Sequence, residues 1–488
     1  MSEKTRLDKI TEICLKRGIF YPNSEIYGSM SGFYDYGSVG AKIKRAFENE
    51  WRKYFLCSLK EPFHEIDPSI ITPEKVWKAS GHLDHFEDPV VQCKKCKLVE
   101  RADQILEKEL KQAFEGLSAN ELNELIRKNN IRCHQCKGEL SDVGALNLMF
   151  SFDAGFFDAK TRAYLRPETA QCPYVSFKRE YLVNRETLPF GLAVIGKAFR
   201  NEISPRRLFF RMREFTQAEC QIFFDPSEIN EHPRFSEVAD YELRVVLAKE
   251  RDKKEQIIKA SELVSLGYPR FCVYYMARVQ QFYESLGMPL ERIRFFEKNE
   301  SERAFYNRLH FDVEAFFDMF NSYLEVAGFH YRGDHDLAGH EKVSGEKMSV
   351  ARNGKRFIPH VLELSFGVDR SVFAFIDAAY REEGERVWLS LPKPIAPYEA
   401  GLYPLMKKDG LAEKAEEIYG ALGCCGVFYD DSGSIGKRYA RADEIGVPFG
   451  FTVDHQTLED GTVTVRERDT TKQKRIKASE IRKFLTDN

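Results

Sequence analysis

Two stretches near the start of the chain repeat apolar residues at the spacing of a helix. An amphipathic helix is predicted over residues 7–17, and a longer one over residues 39–55. The longer helix carries its apolar stripe at four positions, Ile43, Phe47, Trp51 and Phe55, with Lys and Arg residues between them. We therefore expect both helices to lie with one face against a core.

Between residues 196 and 220 the helical spacing gives way to alternation. Charged and apolar residues alternate on both sides of Ser204-Pro205-Arg206-Arg207, which predicts two antiparallel strands joined by a basic loop. Five charged side chains are expected on one face: Arg200 and Glu202 going in, and Arg211, Arg213 and Glu219 coming back. Guanidinium groups bind phosphate oxygens in a planar, bidentate way, so the hairpin suits a nucleoside triphosphate. A salt-bridged surface hairpin is the alternative, because it has the same charge pattern.

Two later segments predict a phosphate-binding turn and a linker. Residues 360–375 read HVLELSFGVDRSVFAF, which predicts a strand, a glycine turn and an apolar helix. Asp369 and Arg370 fall in the first turn of that helix, where a helix start and a fixed guanidinium together suit an anionic phosphate. Residues 391–397 hold three prolines and predict a linker, and the alternation of strands and helices beyond it predicts a small α/β domain.

Composition bounds the class of protein. A chain of 488 residues allows two to four domains, and 43% hydrophobic with 31% charged residues is typical of a soluble globular protein. No apolar run approaches the length of a membrane span and residues 1–10 have no apolar signal core, so we expect a cytoplasmic protein without a membrane partner. The formal net charge of −3 neither supports nor excludes nucleic acid, because a local basic patch can serve an acidic protein.

Four of the eleven cysteines form two pairs with the spacing of metal ligands. Cys93 and Cys96 make one pair and Cys133 and Cys136 the other, and each pair can lie on a tight turn whose backbone amides face the thiolates. Four such thiolates suit a structural zinc ion, while four reduced structural thiols are the alternative. A catalytic zinc is disfavoured because no carboxylate or His stands beside an open fourth position. His134, inside the second pair, is expected to be a spacer.

The hairpin also carries a longer signature. Phe-Arg-Asn-Glu from residue 199, Ile-Ser-Pro-Arg from residue 203 and Arg-Met-Arg-Glu-Phe-Thr from residue 211 resemble motif 2 of the class II aminoacyl-tRNA synthetases, in the version of the glycyl family. Residues 360–375 resemble motif 3 of the class. Gly-Phe-Tyr-Asp-Tyr-Gly at residues 32–37 resembles motif 1, which forms the dimer in that class. The resemblance covers most of the chain, and residues 294–305 are closer to archaeal and eukaryotic members than to bacterial ones.

The resemblance implies a set of ATP-binding residues. In the family, the arginine that matches Arg200 contacts the α-phosphate and the one that matches Arg370 contacts the γ-phosphate. With Glu202, these two are the implied catalytic residues. The whole implied ATP site comprises Arg200, Asn201, Glu202, Phe210, Arg211, Met212, Arg213, Glu214, Phe215, Glu325, Val326, Gly367, Val368, Asp369 and Arg370.

The resemblance also implies a glycine site. Glycine offers only an ammonium and a carboxyl group, so its site needs several acceptors around the ammonium and no room for a β-carbon. In the family the acceptors match Glu168, Glu219 and Ser365, with Glu363 beside them. The whole implied glycine site comprises Arg101, Glu168, Phe215, Thr216, Gln217, Ala218, Glu219, Glu363, Leu364, Ser365, Phe366 and Gly367.

The implied fold class is α+β, with a class II antiparallel sheet flanked by helices. The predicted catalytic domain comprises residues 1–90 with motif 1, 146–225 with motif 2 and 301–390 with motif 3. It is interrupted by a zinc-binding insertion with four cysteines at 91–145, with helix expected over 103–128, and by a helical insertion at 226–300. An α/β anticodon-binding domain is predicted over 391–488. Its candidates for contact with RNA phosphates are Lys437, Arg438, Arg441, Lys472, Lys474, Arg475 and Lys477.

The implied function is the ligation of glycine to tRNA(Gly), with ATP as a substrate, Mg²⁺, a structural Zn²⁺ and a homodimeric assembly. Two alternatives stay open. A class II synthetase for another small amino acid should lack the carboxylates around the ammonium. A non-catalytic, RNA-binding accessory subunit should have lost one of Arg200, Arg211 and Arg370, and all three are present.

Overall fold

The computed structural model describes residues 4–112, 114, 117–157, 160–203, 205, 208–251, 255–304, 306–423 and 426–487. Ser204, Arg206 and Arg207 of the predicted basic loop lie outside the described residues. None of the helices in the described part of the chain combines the length and the apolar character that a membrane span needs.

The helices agree with the periodicity at the start of the chain. α1 begins at Arg6, where Thr5 and Asp8 cap each other's backbone amides, and α2 continues through one wider turn at Lys53–Ser58. The helices predicted over 7–17 and 39–55 are thus confirmed. The full set is α1 (Arg6–Lys16), α2 (Ser38–Arg52), α3 (Glu74–Ala79), α4 (His82–His85), α5 (Ala102–Leu110), α6 (Ala119–Lys128), α7 (Gln171–Val183), α8 (Ala260–Ser265), α9 (Arg270–Ser285), α10 (His335–Ser344), α11 (Val368–Ala379), α12 (Leu411–Leu422), α13 (Ile435–Glu444), α14 (His455–Asp460) and α15 (Ile481–Asp487).

The strands, in chain order, are β1 (Phe20–Pro22), β2 (Tyr34–Tyr36), β3 (Phe63–Glu65), β4 (Ile71–Pro73), β5 (Glu87–Gln92), β6 (Val99–Arg101), β7 (Gly144–Asn147), β8 (Ser151–Ala154), β9 (Thr161–Leu165), β10 (Phe190–Phe199), β11 (Glu214–Phe224), β12 (Glu242–Val246), β13 (Gln256–Lys259), β14 (Ile293–Glu297), β15 (Leu309–Phe317), β16 (Ser322–Gly333), β17 (Val350–Arg352), β18 (Lys355–Phe357), β19 (His360–Gly367), β20 (Tyr380–Glu383), β21 (Arg386–Leu389), β22 (Ala400–Pro404), β23 (Val427–Tyr429), β24 (Phe449–Val453), β25 (Thr462–Glu467) and β26 (Gln473–Lys477).

A nine-stranded sheet in the order β13-β12-β14-β15-β16-β19-β11-β10-β3 forms the centre of the molecule. Its neighbours are antiparallel except for two parallel pairs, β10 with β3 and β12 with β14. β10 and β11 are the predicted hairpin, and they pair from Phe190 opposite Phe223 to Phe199 opposite Glu214. The antiparallel sheet and the hairpin predicted from the sequence are therefore confirmed.

The two faces of this sheet differ in polarity. On β11 the side chains of Ala218, Cys220 and Ile222 are buried in the main apolar core, where the rings of Phe47 in α2 and Phe282 in α9 meet edge to face. The residues between them, Gln217, Glu219 and Gln221, lie on the opposite face because side chains of a strand alternate. The helices α2, α9 and α11 thus cover one face, and the other face carries these polar residues beside a smaller apolar core that includes Phe223 and Phe177 of α7.

The segment at 226–300 differs from its prediction as a helical insertion. It does contain α8 and α9, but it also contributes β12, β13 and β14 to the central sheet. α9 buries eleven of its sixteen residues and lies against the sheet, so this segment completes the main core. The sequence does not reveal these strands, because a strand of four or five residues that includes charged residues gives a weak alternation signal.

Two smaller units extend from the sheet. The Cys-rich segment has a three-stranded sheet, β6-β5-β7, whose small core includes Leu106 of α5 and Leu122 of α6. At the C-terminal end, β23-β22-β24-β25-β26 form a mixed sheet with its own core, as predicted for the α/β domain. Its helix α13 is held to β21 by Arg386 and Asp443, whose NH2 and Oδ2 atoms are 3.0 Å apart.

The C-terminal cations divide into buried and exposed ones. Arg438 is only 2% exposed and donates to the carbonyls of Asp431 and Gly433 at 2.7 Å, so the prediction that it contacts RNA phosphate is wrong. Arg441 and Arg475 are paired with Asp430 and Asp454. The exposed cations of the predicted set are Lys437, Lys472, Lys474 and Lys477.

A buried ion pair ties α2 to the start of α11. Lys44 Nζ lies 3.0 Å from Asp369 Oδ1 and also donates to Thr216 at 2.6 Å. Asp369 accepts from the Tyr36 hydroxyl at 2.8 Å and from the Thr216 amide at 2.6 Å. Burial opposes the charge on Asp369, but Lys44 and the other partners outweigh it and lower the pKa of this carboxyl.

Lys44→Met should lower the free energy of unfolding by about 3–5 kcal/mol, because it leaves Asp369 buried without its cation. Urea denaturation measures the change. The control is Lys53→Met, which removes an exposed lysine paired with Glu50 and should cost about 0.5 kcal/mol or less. Equal losses in the two variants would contradict the importance of the buried pair.

Candidate active site

A cavity of about 240 Å³ opens on the polar face of the central sheet. Its floor is formed by β11, β16 and β19. The charged residues that line it are Glu168, Arg200, Glu202, Arg211, Glu219, Glu325, Arg332, Glu363, Asp369 and Arg370, and its rings are those of Phe209, Phe210, Phe215, Tyr306, His310 and His330. The cavity therefore combines acidic, basic and aromatic groups in one small space.

Strand register arranges the floor in two rows. In the first row, four residues lie directly opposite one another on β11, β19, β16 and β15, namely Gln221, Glu363, His330 and His310. In the second row the residues are Glu219, Ser365, Gly328 and Asp312. Side chains that are directly opposite lie about 4.5–5.5 Å apart at Cβ, so the first row forms a series of contacts, whereas the second is interrupted at Gly328.

Glu219 lies at the β11 end of the second row and accepts three hydrogen bonds. The Thr169 hydroxyl donates to Oε2 at 2.6 Å, and Gln217 Nε2 donates to Oε1 at 2.8 Å. The Ser365 hydroxyl donates to Oε1 as well. These contacts fix the carboxyl group on the cavity floor.

Arg332 joins two further carboxylates. Its Nε and NH2 atoms donate to the two oxygens of Asp336 at 2.7 and 2.8 Å, and NH1 donates to Glu363 Oε2 at 3.2 Å. The guanidinium carbon is also 4.5 Å from the centre of the Tyr306 ring. Arg332 is 4% exposed, so one buried cation serves two buried acids.

Glu168 completes the acidic group from outside the sheet. Its Oε2 atom is 3.4 Å from His82 Nε2, and its Oε1 atom accepts from Gln171 Nε2 at 3.0 Å. Gln171 also donates to Asp336, so the same amide links Glu168 to the carboxylate that Arg332 binds. Three carboxylates, Glu168, Glu219 and Glu363, therefore line one end of the cavity.

These carboxylates have different pKa values. Burial raises the pKa of Glu219 to about 8, and the charges of Glu363 and Glu168 add to the effect. Burial acts in the same direction on Glu168, but His82 and Arg332 outweigh it and hold its pKa below the usual range. Arg332 and His330 likewise lower the pKa of Glu363 against the effect of burial. At neutral pH the site is thus expected to hold two charged carboxylates and one protonated carboxyl.

The other end of the cavity is lined by arginines. The guanidinium of Arg200 lies between two rings, with its carbon 5.3 Å from the centre of Phe86 and 5.2 Å from that of Phe215. Arg370 is oriented by Glu325, whose Oε2 is 3.0 Å from NH1, and by the Phe210 carbonyl at 3.1 Å from NH2. Fixed, planar guanidinium groups in a cavity suit the phosphates of a nucleotide.

Most residues of the implied ATP and glycine sites line this cavity. They are Glu168, Arg200, Glu202, Phe210, Arg211, Met212, Phe215, Thr216, Gln217, Glu219, Glu325, Val326, Glu363, Ser365, Gly367, Asp369 and Arg370.

Eight implied site residues do not line the cavity. The side chains of Ala218, Leu364, Phe366 and Val368 are buried in the apolar core, because they alternate with the residues that line the cavity. The other four lie beside the cavity and have partners of their own. The backbone N–H of Asn201 donates to the Leu148 carbonyl, and Arg213 binds the Glu202 and Ser31 carbonyls. Glu214 pairs with Lys197, and Arg101 pairs with Asp88 and Asp103.

Several residues of the site are absent from the implied set: His82, Thr169, Gln171, Tyr306, His310, His330, Arg332 and Asp336. Thr169 and Gln171 stand in the segment Arg-Pro-Glu-Thr-Ala-Gln that contains Glu168, so this segment held a usable signal. The contact between His310 and His330 depends on the pairing of β15 with β16, which only the structure supplies.

The four cysteines come together away from the cavity. The sulfur atoms of Cys93, Cys96, Cys133 and Cys136 all lie within 4.8 Å of one another. Each pair lies on a turn in which a lysine amide binds the first cysteine's carbonyl, Lys97 on Cys93 and Lys137 on Cys133. A β-carbon on Gly138 would lie 3.0 Å from the Cys93 sulfur, so glycine keeps the thiolates accessible to an ion. Four converging thiolates fit tetrahedral zinc.

Comparison with protein families identifies the class to which this fold and site belong. The tRNA synthetase class II core domain (G, H, P, S and T) matches residues 150–243, which contain the hairpin and Glu168, and an anticodon binding domain matches residues 399–488. The sheet, the cavity with its arginines and these two matches define a class II aminoacyl-tRNA synthetase.

Comparison with individual proteins narrows the class to one family. The chain is 39% identical to a glycine–tRNA ligase of Aeropyrum pernix, over 98% of this chain and 97% of the relative. It is 39% identical to that of Pyrococcus furiosus, over 99% of both chains, and 38% identical to that of Thermococcus kodakarensis, over 100% of this chain and 99% of the relative. The chain belongs to the glycine–tRNA ligase family.

Glu219→Gln should flatten the dependence of folding stability on pH. The pKa of Glu219 is about 8 in the folded protein and about 4.5 in an unfolded chain, so the folded state binds the proton more tightly. This tighter proton binding stabilises the folded state fully below about pH 4.5, and the stabilisation is lost as the pH rises towards about 8. The free energy of unfolding, measured in urea, should therefore fall in the wild type relative to Glu219→Gln as the pH rises over this range.

The matched control for this titration is Glu121→Gln, which removes a carboxylate on α6 whose pKa is lowered by hydrogen bonds from Ser118. Its difference from the wild type should not change between about pH 5 and 8. A Glu219→Gln difference that is equally constant would contradict the raised pKa.

Proposed function

We propose that the chain activates glycine with ATP and transfers the glycyl group to tRNA(Gly). A glycine carboxylate oxygen attacks the α-phosphorus of ATP, an oxygen–phosphorus bond forms, and pyrophosphate leaves. A hydroxyl of the terminal ribose of tRNA then attacks the glycyl carbonyl, and AMP leaves. Both steps need positioned charges, and the cavity provides them at its two ends.

The observation that carries the proposal is the group of three carboxylates at the end of a small cavity. Glu168, Glu219 and Glu363 are acceptors for an ammonium group, and they line the same cavity as Ser365. Binding the ammonium favours the charged form of Glu219, which releases the proton held by its raised pKa. Every competing amino acid is larger than glycine, so this site can reject competitors by steric clash.

The arginine end of the cavity supports the ATP part of the proposal. Arg200 is the candidate for the α-phosphate and Arg370 for the γ-phosphate. Glu325 lines the cavity beside Arg370 and offers the carboxylate oxygen that Mg²⁺ prefers. An ion bound there would supply positive charge that offsets the charge of the phosphates. The three arginines Arg200, Arg211 and Arg370 all line the cavity, which favours an enzyme over an accessory subunit.

The remaining parts of the molecule support the partners of this reaction. The exposed lysines Lys437, Lys472, Lys474 and Lys477 suit the phosphates of tRNA in the anticodon-binding domain. Exposed apolar side chains, including Ile71 in β4 and Leu182 and Val183 at the end of α7, are 53–69% exposed and suit the interface of a homodimer. We propose that the four cysteines hold a structural zinc ion.

The test of the proposed function is ATP–pyrophosphate exchange with each of the twenty amino acids. Exchange with glycine is expected, and exchange with another amino acid would keep the class and overturn the substrate. No exchange with any amino acid would favour the accessory subunit. Sedimentation velocity on the same preparation measures whether the chain is a dimer.

Arg200→Ala should lower glycine-dependent exchange by at least about 100-fold, because it removes a fixed charge from the reacting phosphate. The fold should persist, since the lost contacts are one hydrogen bond to Pro167 and two ring contacts. Circular dichroism and exchange kinetics measure the two effects. Arg356→Ala, which truncates an exposed arginine on β18, is the control and should be active. Wild-type exchange in Arg200→Ala would refute its role.

Cys133→Ser should remove bound zinc. The purified wild type is expected to hold about one zinc ion per chain by elemental analysis, and the variant much less, because one of four ligands is lost. The segment 91–145 should also become sensitive to proteolysis. Cys57→Ser, which changes an exposed cysteine outside the cluster, is the control. A full complement of zinc in Cys133→Ser would contradict the site.

A further inference from the structure

Behind Glu363 the first polar row continues through two histidines. His330 Nδ1 contacts Glu363 Oε1, and His330 Nε2 lies 3.2 Å from His310 Nε2. The same His310 nitrogen is 3.0 Å from Asp312 Oδ1, and Lys298 Nζ lies 2.8 Å from the other oxygen of Asp312. A continuous series of contacts thus runs from Lys298 to the carboxylate at the ammonium site.

The positions of the hydrogens in this series follow from the acceptors. Lys298 keeps Asp312 charged, so Asp312 can only accept, and the hydrogen must be on His310 Nε2. His310 Nδ1 then accepts from Asn307, whose Nδ2 is 3.4 Å away. His330 Nε2 faces this His310 hydrogen at 3.2 Å and must be the bare nitrogen of a neutral ring. The hydrogen of His330 is therefore on Nδ1, where it donates to Glu363.

Glu363 needs this donor because the cation beside it, Arg332, is shared with Asp336. Arg332 makes two of its hydrogen bonds to Asp336 and one to Glu363. Gln221 Nε2 donates to the same Oε2 atom of Glu363 at 3.0 Å. The contact from His330 is to Oε1, so it orients the second oxygen of the carboxylate.

We propose that His310 is a positioning residue for glycine: it fixes the hydrogen of His330 on Nδ1, so that His330 holds the Glu363 carboxylate charged and oriented towards the ammonium group. The inference rests on the proposed function for its substrate, and it adds two residues to the glycine site that the family resemblance leaves out.

The same geometry offers no acceptor for a second hydrogen on His330 Nε2. A second hydrogen on His330 Nε2 would point at the hydrogen on His310 Nε2. The charged groups that face the two rings are Glu363 from β19, Asp312 from β15, Glu325 and Arg332 from β16, and Lys298 after β14. Burial lowers the pKa of His310 despite its bond to Asp312. A neutral pair keeps extra positive charge away from the substrate ammonium.

His310→Ala and His310→Gln separate this role from simple packing. Alanine frees His330 Nε2 to take a proton, whereas glutamine can keep an N–H donor near the same place. We expect His310→Ala to raise the KM for glycine about 10-fold with the KM for ATP unchanged. The logarithm of kcat/KM for glycine should fall below about pH 7 with a slope near one in the wild type, from Glu219, and a slope approaching two in His310→Ala. His310→Gln should resemble the wild type.

The control variant is His232→Ala, which truncates a buried histidine stacked on Tyr274, outside the cavity. It should change thermal stability without changing the slope. An unchanged glycine KM and slope in His310→Ala, or an equal defect in His310→Gln, would overturn the proposal.

Nitrogen NMR of the free protein, with ¹⁵N-labelled histidine, tests the hydrogen positions without any reaction. His330, assigned by its loss in His330→Gln, should carry its hydrogen on Nδ1 in the wild type and should lose this preference in His310→Ala. A hydrogen on Nε2 in the wild type would overturn the proposal whatever the exchange assay shows. If NMR gives the expected hydrogen positions but glycine does not support exchange, the hydrogen arrangement would be confirmed and the proposed substrate rejected.

Discussion

The site depends on placing three buried carboxyl groups, Glu219, Glu363 and Asp336, and the partly buried Glu168 in a cavity with one buried guanidinium, that of Arg332. One cation cannot neutralise four acids, and isolated buried charges are costly. The protein meets this constraint in several ways at once. Arg332 serves Asp336 and Glu363, His82 supports Glu168, and Glu219 retains a proton. The acidic groups therefore exceed the positive charge around them, and the ammonium group of the proposed substrate would supply the missing charge.

The alternation of the strands makes this arrangement possible. Each of the strands β11, β16 and β19 contributes apolar residues to the main core and polar residues to the cavity, so one backbone supports both. The ion pair of Lys44 and Asp369 fixes the start of α11 against the core side. Arg370, the next residue, is then held at the cavity by Glu325 and the Phe210 carbonyl. Packing on one face thus determines the position of charge on the other.

Sequence patterns predicted the local parts of this structure and missed those that depend on pairing between distant strands. The hairpin, the turn before α11 and the two cysteine pairs are short-range features, and each was recognisable from spacing. By contrast, β12, β13 and β14 are short and charged, so the pattern of their segment predicts helix instead of strands. Leu364 and Phe366 adjoin site residues in the sequence but face the core. His310 and His330 meet only because β15 and β16 pair in one register, which a single sequence does not reveal.

The order of strands in the sheet has a consequence for the synthesis of the chain. β19 lies between β11 and β16, although it is the last of the three to leave the ribosome. Until it arrives, both neighbours expose an unpaired edge, and an unpaired edge can recruit strands of other chains. The two polar rows that form the floor also stay open for this period. A nascent chain that stalls before residue 360 would thus expose two unpaired strand edges with polar side chains on one face. In this state the chain would be most prone to aggregate and would benefit most from a chaperone.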